Sequence, residues 1–179
     1  MWGKRRMFHR ERSFRPRPGS FQVVQSKVKE NIMNQREIVQ TVLDSVQKGD
    51  FVKTKSLLAD NFQFSGPVPT PINRDSWLGM SASLKTAFPN LDYHFNVIGA
   101  QGDVVKTTSQ LSGTHTDPFD LTALNMGVIA ATDKNFSVKV EKTKVTVKDN
   151  KVTSWAVEQT DGAGLSAILD QLGVKVPTV

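Results

Sequence analysis

The chain predicts an α+β fold, with helices first and an antiparallel sheet after them, and three observations carry that prediction. Apolar residues recur at helical spacing in three stretches before Pro89. From Leu91 to Thr160 the period falls to two, with Gly- and Asn-containing turns between the alternating runs. None of the 179 residues is cysteine, so a hydrophobic core rather than a disulfide framework must hold the chain. Helices segregated from an antiparallel sheet define this class. A sheet this long twists and curls, and helices filling its concave face give a cone with an internal pocket.

Asn34 is a good N-cap for a helix to about Lys48, which carries Ile38, Val39, Val42, Leu43 and Val46 on one face. Gly49-Asp50 stops it. A short helix, Phe51 to Leu58, turns Phe51, Leu57 and Leu58 inward, and Ala59-Asp60-Asn61 breaks it. Phe62 to Phe64 alternates as a short strand, ended by the proline-rich loop Ser65 to Pro71. A third helix opens at Asn73 or Asp75, carries Trp77, Leu78, Ala82, Leu84, Ala87 and Phe88, and ends at Pro89.

Leu91, Tyr93, Phe95 and Val97 alternate with Asp92, His94, Asn96 and Ile98, and Gly99 to Asp103 makes a hairpin turn. Val104 to Thr116 reads as one long strand, half-wet in composition. A loop over 117–134 follows; its Leu121, Leu124, Met126, Val128 and Ile129 make it a lid or a packed cap. Along Phe136 to Val147 the apolar residues switch from even to odd positions near Glu141-Lys142, which predicts a β-bulge there. After the turn Lys148 to Lys151 come a last strand, Val152 to Thr160, and a closing helix, Leu165 to Leu172.

The formal charge of +6 is a property of one end. Residues 1–32 hold nine Lys and Arg against two Glu, so residues 33–179 are nearly neutral. The division expected is a basic, disordered leader over 1–32, with Met33 as a natural start, and a cone domain over 33–179. The leader has no apolar stretch of secretory type and no run could span a membrane, so a cytoplasmic location is expected. No aromatic-plus-basic pattern marks the domain as a nucleic-acid binder.

Gly113-Thr-His-Thr116, Asp120-Leu-Thr-Ala-Leu124, Ala131-Thr-Asp-Lys134, Trp155 and Gln171-Leu-Gly173, in this order of elements, resemble the nuclear transport factor 2-like cone superfamily. Within it the chain resembles the SnoaL-like group, which includes polyketide cyclases and relatives of ketosteroid isomerase. The likeness covers about residues 34–176, and Asp133 stands where the family usually has Gly. It implies a pocket for a small apolar or carbonyl-containing ligand and a homodimer packed through the sheet. In the characterised cyclases the acid/base directly follows the Trp of the last long strand; this chain has Ala156 there.

If position 156 faces the cavity, as the resemblance implies, Ser154 and Glu158 face it too, and Glu158 is the nearest carboxylate. An apolar pocket raises a carboxylate's pKa and suits it to take a proton from carbon beside a carbonyl. His94 alternates with the apolar set of its strand; it looks into the cavity or out to solvent, and with Glu158 would form an acid–base pair. With the faces reversed, Tyr93 would donate to an oxyanion. Trp77, Trp155 and Asp120 complete the expected substrate-binding set. No metal-ligand spacing, phosphate loop or serine-nucleophile motif appears, so cofactor-free proton transfer is expected. The alternatives are a non-catalytic dimeric ligand-binding or scaffold module, and a cone that serves as a platform for its basic tail.

Overall fold

The computed structural model describes residues 35–68, 70–124 and 126–174. The expected leader and the Asn34 cap lie outside the described residues. Helix α1 (35–48) buries Val39, Val42, Leu43 and Val46, the face that the spacing selects. It ends at Gly49, whose φ of +73° a residue with a Cβ adopts only with strain. Asp50 then caps α2 (Phe51–Leu57), its side chain accepting from the Lys53 amide at 3.0 Å.

The chain passes from α2 directly into β1 (Leu58–Ser65). The strand begins four residues earlier than the alternation predicts, because the segment pairs in parallel with the last long strand. Leu58, Phe62 and Phe64 are its buried residues. After β2 (Ile72–Asn73), Asn73 caps α3 (Arg74–Ala87) by accepting from the Ser76 amide. α3 buries Trp77, Leu78 and Ala87.

The meander follows as β3 (Asn96–Gln101), β4 (Val104–Ser109), β5 (Ser112–Thr114), β6 (Phe119–Asp120), β7 (Val128–Ile129), β8 (Asn135–Ser137), β9 (Glu141–Lys148) and β10 (Lys151–Val157), and α4 (Gly164–Leu172) closes it. The main sheet runs β2-β1-β10-β9-β4-β3, antiparallel except for β1 with β10. Bulges interrupt β3 between Val97 and Gly99 and β10 between Val152 and Ser154.

Two segments predicted as single long strands are each broken. β4 pairs with β9, but β5 turns away to pair with β8. The parity switch near Glu141 falls where β8 gives way to β9: Val138 is buried, Val140 is exposed, and Glu141 takes the inward place. The 117–134 segment is a packed cap. β6 pairs with β7, Phe119 and Leu121 are buried, and Ser83 Oγ donates to the Asp120 carbonyl at 2.6 Å. Lys134 Nζ donates to the Leu172 carbonyl at 2.9 Å and so caps the C-terminal end of α4. No helix among the described residues is long and apolar enough to cross a membrane.

Candidate functional site

The concave face of the sheet is set by direct pairings. Phe64, Trp155, Val145, Val105 and Ala100 form one row across β1, β10, β9, β4 and β3. Val105, Val145 and Trp155 are all buried, so this row faces the helices. Trp77 of α3 meets Trp155 with ring centroids 5.3 Å apart, and Phe62 and Phe64 flank Trp77 at 5.4 and 6.2 Å. On the other side Phe95 lies 6.0 Å from Trp155, and Tyr93 stacks on Phe95 at 4.8 Å with the planes 6° apart. One continuous train of packed rings thus occupies the place where the sequence predicts a hollow.

The same face carries a polar strip at its other end. One row along, Thr107 and Thr143 pair and share a hydrogen bond between their hydroxyls, both buried. In the next row Ser109 pairs with Glu141, and both are buried. Asp92 pairs with Ser112 and Asn96 with Thr108, a register that sets Phe95 opposite Ser109 and Tyr93 one step beyond. Rows on one face are about 7 Å apart along a strand. Glu141 and Ser109 are therefore neighbours on this face, Phe95 follows across Ser109, and Tyr93 lies a row further, two strand spacings or roughly 10 Å and more from Glu141.

Glu141 is only 7% exposed, and its carboxylate forms no hydrogen bond or ion pair with any described residue. Gly164, the first residue of α4, closes over it: a Cβ there would lie 3.3 Å from Glu141 Oε1. Desolvation pushes the Glu141 pKa above the usual carboxylate range. The Tyr93 hydroxyl is buried without a partner among the described residues, and burial drives its pKa up, so it remains a donor at neutral pH. Sequence reasoning missed Glu141 although the signal was there, since 141, 143, 145 and 147 share the parity of the core residues of β9.

The residues expected from sequence divide between the two faces. Trp77, Trp155 and Tyr93 face the interior. Glu158 and Ser154 do not. Trp155 occupies the inward place, so Ser154, Ala156 and Glu158 turn outward; Ala156 pairs with the exposed Lys144, and Lys144 Nζ holds the Glu158 carboxylate at 3.1 Å. The implied inward position of Ala156 is corrected by this pairing. Asp120 is exposed and serves its own turn, accepting from the Thr122 amide and hydroxyl, bonds that hold its pKa below the usual range. Nor are Glu158 and His94 brought together. β10 and β3 are separated by three strand spacings, or roughly 14 Å, too far for a direct acid–base pair.

His94 stands instead at the rim of a cleft. Two clefts open along the seam between α1 and residues 92–97. One, of about 310 Å³, is lined by Arg36, Glu37, Gln40, Asn96 and Val97. The other, of about 270 Å³, has Leu43 and Phe95 as its apolar lining and Asp44, Asp92 and His94 among its polar groups. Phe95 thus has one side in the cleft and the other against the interior rings. His115, in the best-matched motif, is wholly buried beside Phe88 and Phe119, and burial lowers its pKa. No cluster of three His, Asp or Glu among the described residues is placed to hold a metal ion.

No curated protein matches the chain. Among solved structures, a protein of Jannaschia sp. CCS1, provisionally designated a SnoaL-like polyketide cyclase, superposes with TM-score 0.63 at 19% identity, over 80% of this chain and 94% of its own. IdmH of Streptomyces antibioticus, provisionally designated a polyketide cyclase, gives 0.59 at 23% identity over 78% and 99%. AclR of Streptomyces galilaeus, provisionally designated a hydroxylase, gives 0.62 at 18% identity over 83% and 85%. At such identities the likeness shows the shared cone fold, which hosts more than one designated chemistry. The sequence model of the SnoaL-like polyketide cyclase family matches residues 36–169, and the chain belongs to that family.

Proposed function

We propose that the protein binds a small carbonyl compound and moves a proton on the carbon beside the carbonyl, as an isomerase or cyclase without a cofactor. The observation that carries this reading is Glu141: a residue only 7% exposed on the inward face of β9, its carboxylate without a partner among the described residues and its pKa raised by desolvation. A carboxylate whose pKa is raised holds a proton taken from carbon more readily than a solvated one and can return it. The Tyr93 hydroxyl is the donor for the oxygen of the enolate, and its burial gives that bond its strength. The clefts beside α1 are the approach, with Phe95 between the second of them and the Ser109–Glu141 row. Glu158 keeps a surface role, while His94 and Asp92 stand at the entrance.

The test uses a cyclic 1,3-diketone in D2O and follows exchange of the carbon-bound proton by NMR. The wild-type chain accelerates exchange, Glu141→Gln lowers the acceleration on the order of 100-fold or more, and Glu158→Gln leaves it unchanged. Equal rates for wild type and Glu141→Gln would sink the assignment. A second reading, a non-catalytic dimeric module paired through the sheet, draws support from the rings that crowd the interior and from Ile98, exposed on β3. It is favoured if no carbonyl probe responds and the chain is a dimer by light scattering.

A further inference from the structure

The rim of the second cleft holds a constellation that proton transfer inside the cone does not use. His94 Nε2 lies 3.0 Å from Ser112 Oγ, and His94 Nδ1 lies 3.5 Å from Asp92 Oδ2. Hydroxyl, imidazole and carboxylate therefore follow one another in that order, with the carboxylate beside the nitrogen away from the hydroxyl. We infer that Ser112, His94 and Asp92 form a nucleophilic acyl-transfer site on the outside of the cone, independent of the Glu141 interior.

Backbone hydrogen bonds frame the three. Asp92 and Ser112 exchange two backbone hydrogen bonds, each of 2.9 Å, which fix their Cα atoms. The second oxygen of Asp92 accepts the His94 amide at 2.8 Å, so the carboxylate that holds the His94 backbone also stands 3.5 Å from its ring. His94 has a φ of +44°, a left-handed conformation that an L residue adopts only with strain. Backbone strain of this kind collects at functional sites, where other contacts enforce it. Here the strained backbone aims the ring between Asp92 and Ser112.

Chemically the roles follow from the geometry. In the tautomer that carries its proton on Nδ1, the nitrogen 3.5 Å from Asp92, Nε2 is free to accept the Ser112 proton. Ser112 Oγ attacks the carbonyl carbon of an ester, the Oγ–C bond forms, and the proton passes to Nε2. The ester C–O bond then breaks and the departing oxygen takes that proton. Water repeats the cycle: it yields a proton to Nε2, attacks the acyl carbon, and releases the acid and a reprotonated Ser112. The adjoining cleft of about 270 Å³ sets the class of substrate. Leu43 and Phe95 suit a short apolar acyl chain, while Asp44 and Asp92 disfavour an anionic one.

The experiment treats the full chain with p-nitrophenyl acetate, quenches in acid, and maps acetyl groups by peptide mass spectrometry. One acetyl on Ser112 is expected, absent in Ser112→Ala, and formed on the order of 100-fold more slowly in His94→Ala. Asp92→Asn slows it by about tenfold or more by turning the imidazole to the wrong tautomer. His94→Asn is the safeguard: Asn tolerates the left-handed backbone, so its melting temperature matches or exceeds that of the wild type while labelling is lost. Acetyl confined to lysines, or an unchanged rate on Ser112 in His94→Ala, would overturn the inference.

Discussion

Glu141 sits directly opposite Ser109 across β9 and β4, on the face that also buries Thr107, Thr143 and Val145, with Gly164 of α4 packed over its carboxylate. A charge held there without a partner weakens the fold. The folded-state pKa of Glu141 is raised, so the native state holds its proton at pH values where the unfolded chain has lost it. Its contribution to stability is complete below the unfolded pKa and is lost as pH rises through the folded one. Urea titrations across this range should show wild-type stability falling with pH, whereas Glu141→Gln should lack this component and be more stable at neutral pH by on the order of 1 kcal/mol.

The ring train makes a second prediction. Trp155 touches both Trp77 and Phe95 and is 3% exposed, so Trp155→Ala opens a cavity between helix and sheet. The expected cost is about 3–5 kcal/mol, read as a lower urea midpoint at an unchanged slope. A cost under about 1 kcal/mol would mean that the rings do not form the core of the cone.

Asp133 has a φ of +54°, which accounts physically for the glycine usual in the family at this place. The left-handed region costs an L residue about 1–2 kcal/mol, and glycine's extra unfolded-state freedom returns about 0.5–1 of that. Asp133→Gly should therefore stabilise by about 0–1.5 kcal/mol, a small rise in melting temperature.

At Gly66 the sign is opposite. Its φ is +135°, and a Cβ would meet the Val157 carbonyl oxygen at 2.7 Å and the Val157 Cβ at 2.8 Å, at the end of β10. Gly66→Ala should cost about 2 kcal/mol or more, because the obstacle is backbone and cannot swing aside. Thermal melts of the two glycine-site variants, side by side, check both signs.

Much of this fold is written in local pattern. The apolar stripe of α1, the Asn73 cap of α3 and the alternation of β9 each state their own element. What escapes local reading is tertiary. Ala59, Asp60 and Asn61 look like helix breakers, yet pairing of their strand with β10 extends β1 through them. The bulge between Val152 and Ser154 has no mark in the sequence, and the resemblance alone turned Ala156 and Glu158 inward. Glu141 is legible by parity, but a charged side chain is a poor candidate for an inward place on sequence grounds. Ser112 and His94 are eighteen residues apart in the chain, and only the Asp92–Ser112 bridge brings them together.

The most direct measurement is a pH titration of the glutamate side-chain carbons by NMR, comparing wild type with Glu141→Gln. The account predicts one carboxyl that titrates clearly above the usual glutamate range in the wild type and disappears in the variant. If every glutamate titrates in the ordinary range, Glu141 is not the buried acid/base that the interior site requires.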